Sequence, residues 1–368
     1  MPVVIDYRPA GKRRGASKAA ALVAAGFLLV AVLAVLWYSA YIENGHLRKQ
    51  VEDLSKQLET KATALRGVVQ QLLEQIQAWL REAHTRLAPA GTPGPDAVLE
   101  AVEELNIIRE SMGIPPVRPI NLTVAWFRAE YMARTGLFSH YDAEGRHPVY
   151  WYTVLDGGLY AVEENLATVY TIRGDISRVD PEALSPTSAV RGMVYEDWES
   201  LWGHRDSLLD PCHTHVAIGT AWTRSAVYHA VYMVAVWVNW TLPPRYSGGV
   251  FAAEGYAHPS MRPLVFAVYY AEFEENPAER RSYSLGKLYL CKWLKPGYRC
   301  AGAPEPAGVF AVERAPDGRW RIRIAATVKL ERPGVYTFVL AAEDLRGIRW
   351  RPLSPSDSIC TTRRISSE

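Results

Sequence analysis

A run of 22 residues without a charged side chain, Ala19–Ala40, constrains this chain more than any other feature. At about 1.5 Å per residue, a helix over this run spans the roughly 30 Å hydrocarbon core of a bilayer. Trp37, Tyr38 and Tyr41 lie at its end, where aromatic side chains suit the boundary between lipid and water. The run is too long for a buried core helix and longer than the apolar part of a cleaved signal peptide. We therefore predict a membrane anchor over residues 19–41.

The charges before this run decide its predicted orientation. Residues 1–18 carry one acid, Asp6, against five basic side chains: Arg8, Lys12, Arg13, Arg14 and Lys18. Basic residues beside a span stay in the cytoplasm. We therefore expect a single-pass protein of the cell membrane, with residues 1–18 in the cytoplasm and everything after the span outside the cell. The net charge is only +2, so we expect no nucleic-acid partner.

Residues 42–87 carry the repeat of a helical stalk. Apolar residues recur in alternating steps of four and three, with Lys61 and Gln75 at two positions of the stripe: Leu47, Val51, Leu54, Leu58, Leu65, Val68, Leu72 and Trp79. Such a stripe is typical of a coiled coil, so we predict a stalk that forms a homo-oligomer. A single amphipathic helix packed on the globular part is the alternative. The segment "APAGTPGPD" then predicts a linker over residues 88–96.

A first globular domain is predicted over residues 97–243. Apolar residues at helical spacing predict three helices: over residues 97–112, from Leu122 to a C-cap at Gly136, and over residues 187–202, ending at Gly203. In the third helix, Trp198 and Leu201 are among the residues expected to face inward. Two runs rich in β-branched and aromatic residues, "VAIGTAWT" and "YHAVYMVAVWVNW", predict two strands joined by a turn. Helices that precede paired strands indicate an α+β or three-layer domain.

A second domain, all β, is predicted over residues 244–368. Its strand-like segments are separated by turn signals such as "PDG" and "RPG". In "RWRIRI" the side chains alternate strictly, so one face of that strand should meet water. We expect a β-sandwich-like module, for which the sequence indicates no ligand.

All four cysteines lie on the predicted outer side of the membrane, where disulfides form. Cys291 and Cys300 enclose "KWLKPGYR", whose Pro-Gly predicts a turn between them. We expect this local pair and a second disulfide, between Cys212 and Cys360, that joins the two domains, although four cysteines allow three pairings. A zinc site is the less favoured alternative, because close C-x-x-C spacing does not occur.

Two N-x-T sequons, at Asn121 and Asn239, are candidates for glycosylation outside the membrane. Asn121 also precedes the predicted helix at Leu122, where its side chain is the expected N-cap. Capping and glycan attachment would compete at that position. Asn239 lies near the end of a predicted strand, close to Pro243, where a glycan is accessible.

Five motifs follow one another in the first domain: "LNIIRESMGIPPV", "AEYMARTGLFSH", "EENLA", "WESLWGHRDSLLDP" and "HVAIGTAW". In this order they resemble the CAP superfamily of cysteine-rich secretory proteins, insect venom antigens and plant pathogenesis-related proteins, and most of all its prokaryotic SCP-like branch. The resemblance covers Val98–Trp240. It implies an α+β fold: a three-layer α-β-α CAP sandwich, here preceded by a transmembrane helix and a stalk and followed by an all-β sandwich-like domain.

The resemblance also implies a cleft lined by two histidines and two acids. His140 in "FSH" matches the first histidine, Glu164 in "EENLA" the first acid, and His204 in "GHR" the second histidine. The family's second acid falls on Leu201, so this chain departs from the pattern there. Asp197, one helical turn back, is the expected substitute. Whether an activity that needs all four groups survives this change is left open.

Three interpretations of the cleft remain open. Two imidazoles and a carboxylate, from His140, His204 and Glu164, can hold a divalent cation such as zinc and leave a position for water or substrate. Without metal, the same residues can act as acid and base near neutral pH. They can also form a buried polar network that holds loops together. A nucleophile motif of the G-x-S-x-G type does not occur in the sequence.

The function expected from these features is that of a membrane-anchored extracellular binding protein, with a lipid, a glycan or another surface protein as its ligand. Its His/Glu cleft would be able to hold a cation, and catalysis is left open. One alternative is a peptidase-like hydrolase that uses His140, Glu164 and His204. Another is a structural module of the cell surface, in which the stalk and the β-sandwich matter more than the cleft.

Overall fold

The structure is a computed structural model. It describes residues 95–172 and 174–348, the backbone of residues 360–366, and six helical residues near the start of the predicted stalk: Lys49, Asp53, Lys56, Gln57, Thr60 and Lys61. The predicted cytoplasmic segment and the predicted membrane anchor lie outside the described residues, as does most of the predicted stalk and linker. Within the described ranges, no helix is both long enough and apolar enough to cross a membrane.

The chain divides into two units, Met1–Leu87 and Ala88–Glu368. The second unit begins with a part in which helices alternate with strands. Its elements are α1 Pro95–Ser111, β1 Arg118–Pro119, α2 Thr123–Thr135, α3 Pro148–Asp156, β2 Ala161–Tyr170, α4 Pro186–Tyr195, α5 Gly203–Leu209, β3 His215–Trp222 and β4 Ala226–Ala235. The strands form one sheet of order β1-β3-β4-β2, in which only β1 and β3 run parallel among these described pairs.

Helices cover both faces of this sheet. Helices α2 and α3 pack on one face in a core that includes Met132. Helices α1, α4 and α5 pack on the other face in a core that includes Leu105. Side chains alternate along a strand, so neighbouring residues of β4 pack in opposite cores. Tyr232 packs in the core with Met132, and Val231 packs in the core with Leu105. This part of the chain is therefore a mixed α/β structure of three layers.

Helix α2 approaches the sheet closely because Gly219 in β3 has no side chain. A Cβ at that position would lie 2.1 Å from the carbonyl oxygen of Ala125 in α2. The helix ends as predicted at Gly136, which adopts the left-handed conformation with φ 71° and donates its amide to the carbonyl of Met132. The C-cap at Gly136 therefore fixes the direction in which the loop after α2 leaves the helix.

The N-terminus of α2 is capped by a residue that the sequence pattern did not indicate. The two carboxylate oxygens of Asp156, at the end of α3, accept the backbone N–H groups of Thr123 and Val124. The prediction that Asn121 caps this helix is wrong, since the helix begins one residue later than expected and its cap is supplied from another helix. Asn121 is exposed, so capping does not compete with a glycan there.

The helix predicted over residues 187–202 is shorter than expected. Helix α4 ends at Tyr195 and a short 3-10 turn follows. Leu201 and Trp202 then adopt left-handed backbone conformations, with φ 54° and 66°, which break the helical phase. Trp198 and Leu201, predicted to face inward, lie beyond the end of α4 and are 66% and 76% exposed.

The second part of the unit consists of strands in two antiparallel sheets. Its strands are β5 Val238–Ser247, β6 Val250–Ala257, β7 Met261–Ala271, β8 Lys287–Trp293, β9 Gly308–Arg314, β10 Trp320–Thr327, β11 Val335–Asp344 and β12 Cys360–Ser366. The sheet orders are β5-β6-β10-β9 and β12-β11-β7-β8. The sheets pack face to face around a core that includes Phe251 and Phe338, whose rings stack at 4.5 Å. Strand β10, which holds all of "RWRIRI" except Arg319, alternates buried and more exposed residues as predicted.

The two parts meet earlier in the chain than residue 243. The run predicted as one strand, "YHAVYMVAVWVNW", forms two: β4 ends at Ala235, and β5 begins at Val238 and pairs with β6. Pro243 and Pro244 lie inside β5, an edge strand, and the register with β6 shifts there. Proline is tolerated at an edge because its missing N–H leaves no neighbouring carbonyl without a donor.

Buried side chains join the two parts. Trp237, between β4 and β5, donates from Nε1 to the carbonyl of Cys212 at 2.7 Å and packs in a small core with it. The predicted disulfide between Cys291 and Cys300 is present. Cys212 is also disulfide-bonded. The side chain of its predicted partner, Cys360, lies outside the described residues, so that pairing stays a prediction.

Candidate functional site

The pair His140 and Glu164 is assembled from a loop and a strand. His140 lies in the loop after α2, and Glu164 lies in the middle of β2, between Val162 and Leu166, which face the α2 layer. The imidazole Nδ1 of His140 is 3.0 Å from Glu164 Oε1. An ionised carboxylate favours the tautomer with a proton on that nitrogen, so Nδ1 donates. The His140 side chain is 9% exposed and that of Glu164 is fully buried.

Two more donors occupy the Glu164 carboxylate. Arg128 Nε donates to Oε2 at 2.9 Å, and the hydroxyl of Tyr232 donates to the same oxygen at 2.5 Å. Arg128 also donates to the carbonyl of Ser139, which holds the loop beside His140. Burial raises the pKa of Glu164, but the Arg128 charge and the His140 hydrogen bond outweigh it and leave that pKa below its ordinary value. The carboxylate is therefore ionised at neutral pH.

A segment of the second part covers this pair. Residues 272–286, which connect β7 to β8, are called the strap below. In the strap, the hydroxyl of Tyr283 accepts the backbone N–H of Glu164 at 3.0 Å. The ring centroid of Tyr283 lies 4.9 Å from that of His140 and 6.3 Å from that of His147, to which it is stacked. Tyr283 thus contacts both members of the pair from outside the α/β part.

Hydrogen bonds hold the strap at both sides of the His140 loop. Ser139 Oγ donates to the carbonyl of Pro277 at 2.6 Å, and the backbone N–H of Glu274 donates to the carbonyl of Gly145 at 2.9 Å. Gly145 has φ 77°, and a Cβ there would lie 2.2 Å from the Glu274 carbonyl oxygen. Only glycine fits this position, because the strap backbone occupies the place of a side chain.

Asp197 and His204 form a second pair. His204 lies in the first turn of α5 and not after the end of a helix, because Gly203 begins α5. Its Nδ1 is 2.7 Å from Asp197 Oδ1, and Oδ2 accepts the backbone N–H of Arg205 at 2.9 Å. Burial raises the pKa of Asp197, but these hydrogen bonds outweigh it and leave the pKa below its ordinary value. Asp197, the expected substitute for the missing acid, is the partner of His204, and Leu201 points to solvent.

The surroundings of this second pair are open and strained. The His204 side chain is 23% exposed. Trp198 and Leu201, both exposed, lie in the turn that leads to it. Leu201 and Trp202 hold left-handed conformations that cost on the order of 1–3 kcal/mol each, and backbone bonds from their amides to Trp198 and Asp197 keep them there. Such strain is common where a turn presents side chains to a ligand.

The two pairs belong to different layers. Glu164 and Asn165 are successive residues of β2 and point to opposite faces of the sheet. Glu164 contacts Arg128 in α2, whereas Asn165 Nδ2 donates to Ser207 Oγ at 3.0 Å in α5, the helix that carries His204. Of the three side chains predicted to hold a cation, His140 and Glu164 thus pair with each other, whereas His204 pairs with Asp197. In the described part of the chain, no group of three or more His, Cys, Asp or Glu side chains is placed to hold a metal ion.

Three residues of the first pair's surroundings were missed by the sequence reasoning. Arg128 lies between Ala125 and Ala129 on the buried face of α2. A charge on a buried face requires a buried partner, so the sequence could have predicted an acid near Arg128. Tyr232 stands in an apolar strand, where a buried hydroxyl needs an acceptor. Tyr283 carried no signal, because it lies 119 residues from Glu164 in the predicted all-β domain.

The glycosylation candidates have no part in either pair. Asn121, before α2, and Asn239, in β5, are both exposed, and Asn239 lies on an edge strand. Both sequons are therefore accessible in the folded unit. Modification at these positions stays a prediction.

Comparisons with known proteins give a limited likeness. No protein-family model and no curated protein matches this chain. Among solved structures, the chain is similar to an extracellular protein containing an SCP domain from Bacillus anthracis str. Ames, with 18% sequence identity and a TM-score of 0.29. The match covers 40% of this chain, and the chain spans 45% of that protein's length.

Proposed function

We propose that this chain is a non-enzymatic binding protein of the cell surface. In this proposal residues 19–41 anchor it, the stalk over residues 42–87 raises it, and a CAP-type α-β-α domain and a β-sandwich face the outside. The long uncharged run and the basic residues before it support the location. One observation supports the absence of catalysis at the first pair: the buried Glu164 carboxylate already accepts from three side chains.

A catalytic or metal-binding carboxylate needs a lone pair that a substrate or an ion can reach. Carboxylate oxygens together offer about four acceptor positions. At Glu164, donors from Arg128, Tyr232 and His140 fill three of them, and the side chain has no exposed surface. The strap covers the same place through Tyr283. These contacts favour a structural role for the first pair, which links α2, β2 and β4 to the second part.

The second pair is the part of the predicted cleft that a ligand can reach. His204 is partly exposed, and Trp198 and Leu201 present apolar surface in the strained turn that leads to it. Large exposed apolar side chains that cluster beside polar groups mark binding surfaces. We therefore place contact with the lipid, glycan or protein ligand on this surface.

A hydrolase is the second candidate, and one observation favours it. Asp197 accepts from Nδ1 of His204, which orients the imidazole and leaves Nε2 as the nitrogen for proton transfer. A carboxylate that orients a partly exposed histidine is the arrangement of a general base. In that case the second pair, and not the buried first pair, would carry the chemistry.

Variants of the two histidines separate these functions. Full-length chain is assayed with p-nitrophenyl acetate and with casein, and its zinc content is measured, alongside His140→Ala and His204→Ala. We expect the same background rates in all three proteins and no stoichiometric zinc, with a lower free energy of unfolding for His140→Ala only. A rate that disappears in His204→Ala would establish the hydrolase instead. Stoichiometric zinc that is lost in both variants would establish the cation site predicted from the motifs.

A further inference from the structure

A cavity of about 390 Å³ lies at the end of the β7–β8 hairpin that is farthest from the strap. Its walls come from the start of β7, the end of β8, the end of β11 and the segment at Cys212. The volume falls within the range of roughly 300–1,000 Å³ that is usual for small-molecule sites. Neither histidine pair contributes to it, so it is independent of the function proposed above.

Two aromatic side chains form one wall of this cavity. The ring centroids of Trp293 and Tyr298 lie 5.3 Å apart with an angle of 35° between the planes. Both belong to the segment closed by the disulfide between Cys291 and Cys300, which are nine residues apart. A short closed loop loses little conformational freedom when a ligand binds, so the aromatic wall is formed in advance. The ring faces of Trp293 and Tyr298 suit a flat, apolar surface of a ligand.

The rest of the lining mixes apolar side chains, among them Leu264 and Ile348, with four charged side chains whose charges balance. Arg262 donates to Glu343. Lys295 and Asp344 add one charge of each sign to the lining, and Asp344 is paired at 2.6 Å with Arg346, which lies outside the lining. Arg262 lines the cavity and has no hydrogen-bond acceptor for Nε among the described residues. A lining without net charge favours no ionic ligand, and a purely apolar ligand would leave Nε of Arg262 without an acceptor. A neutral molecule with hydroxyl groups and an apolar face satisfies both the aromatic wall and the charged side chains.

We propose that this cavity binds a neutral saccharide of one or two rings. The apolar C–H face of a pyranose ring packs against Trp293 and Tyr298. Its hydroxyl groups donate to Glu343 and accept from Nε of Arg262. The α/β part contributes to the site through Pro211 and Cys212, so the cavity requires both parts of the unit in place.

Saturation-transfer NMR on the full-length chain tests the proposal. The protein is kept in a detergent without a sugar headgroup, and the probes are cellobiose, maltose and N,N′-diacetylchitobiose, with sialyllactose and a tyrosine-containing tripeptide as comparisons. We expect transfer to at least one neutral disaccharide and none to the comparisons. Trp293→Ala and Tyr298→Ala should each weaken that binding about tenfold or more, because each removes a stacking surface from the aromatic wall.

Tyr170→Ala is the matched control, since Tyr170 is an exposed aromatic side chain on β2, outside the cavity. It should leave the dissociation constant unchanged. Tyr298 is 51% exposed, so its replacement is compatible with folding even if that of Trp293 is not. The proposal is overturned if no neutral disaccharide binds, if only the charged sugar or the peptide binds, or if Tyr298→Ala in a folded protein binds as tightly as the control.

Discussion

The buried ion pair between Arg128 and Glu164 makes the sharpest prediction about stability. Both side chains have no exposed surface, and the two groups are 2.9 Å apart. Removing either partner alone leaves a charge in the interior without compensation. We therefore expect Arg128→Met or Glu164→Gln to lower the free energy of unfolding by about 3–5 kcal/mol. In the double variant no lone charge remains, so its loss should fall short of the sum of the single losses by about 2–3 kcal/mol.

The assay is guanidinium chloride unfolding of the four proteins, followed by tryptophan fluorescence and by circular dichroism, with coincident transitions required before free energies are compared. Arg321 and Glu254 supply a control of the same chemistry, at 2.7 Å but with side chains 44% and 29% exposed. Arg321→Met and Glu254→Gln should each cost less than about 1 kcal/mol. A coupling below about 0.5 kcal/mol at the buried pair, or one equal to the control's, would refute the reasoning.

Three further predictions concern single contacts. Tyr283→Phe keeps the ring but removes the hydroxyl that accepts the backbone N–H of Glu164, so it should lower the free energy of unfolding by about 1–3 kcal/mol. An unchanged unfolding midpoint would contradict the strap contact. Burial lowers the pKa of His229 from 6.5 to about 4. As the pH falls, His229 is therefore protonated in the unfolded chain before it is protonated in the folded one. The free energy of unfolding should fall between pH 6.5 and about 4, by up to about 3 kcal/mol. His229→Gln should flatten this part of the dependence of the free energy of unfolding on pH, measured by urea unfolding. The same slope in the variant and the parent protein would contradict the prediction. Replacing Cys291 and Cys300 by serine should cost about 2–3 kcal/mol, measured by the same unfolding assay against the disulfide-bonded protein.

The features that sequence reasoning placed correctly depend on nearby residues. Gly136 ends α2 because a left-handed residue is needed directly after a helix, and the Pro-Gly between Cys291 and Cys300 brings the two cysteines together within nine residues. The alternation in β10 shows which of its faces is buried. At Gly136 and at the disulfide the partners lie within a few positions, and the alternation in β10 belongs to a single strand, so each pattern is visible in one stretch of chain.

The features that sequence reasoning missed depend on partners far away in the chain or on a helix that ends earlier than its pattern. Asp156 caps α2 from more than 30 residues away, which no pattern at Asn121 could indicate. Trp198 and Leu201 are exposed because the backbone leaves the helical phase after Tyr195, although their apolar character predicted the opposite. A spacing rule assumes one continuous helix, so it fails where the chain turns.

For the candidate site, the sequence by itself determined the chemistry available: two histidines, Glu164 and the substitute acid Asp197. Only the tertiary structure decided how these groups are used. It joins His140 to Glu164 beneath Tyr283 and leaves His204 with Asp197 partly open to solvent. The physical reason is that burial and hydrogen-bond occupancy are sums over all neighbours of a side chain. Here the decisive neighbours come from a strap more than 100 residues away, which no local motif contains.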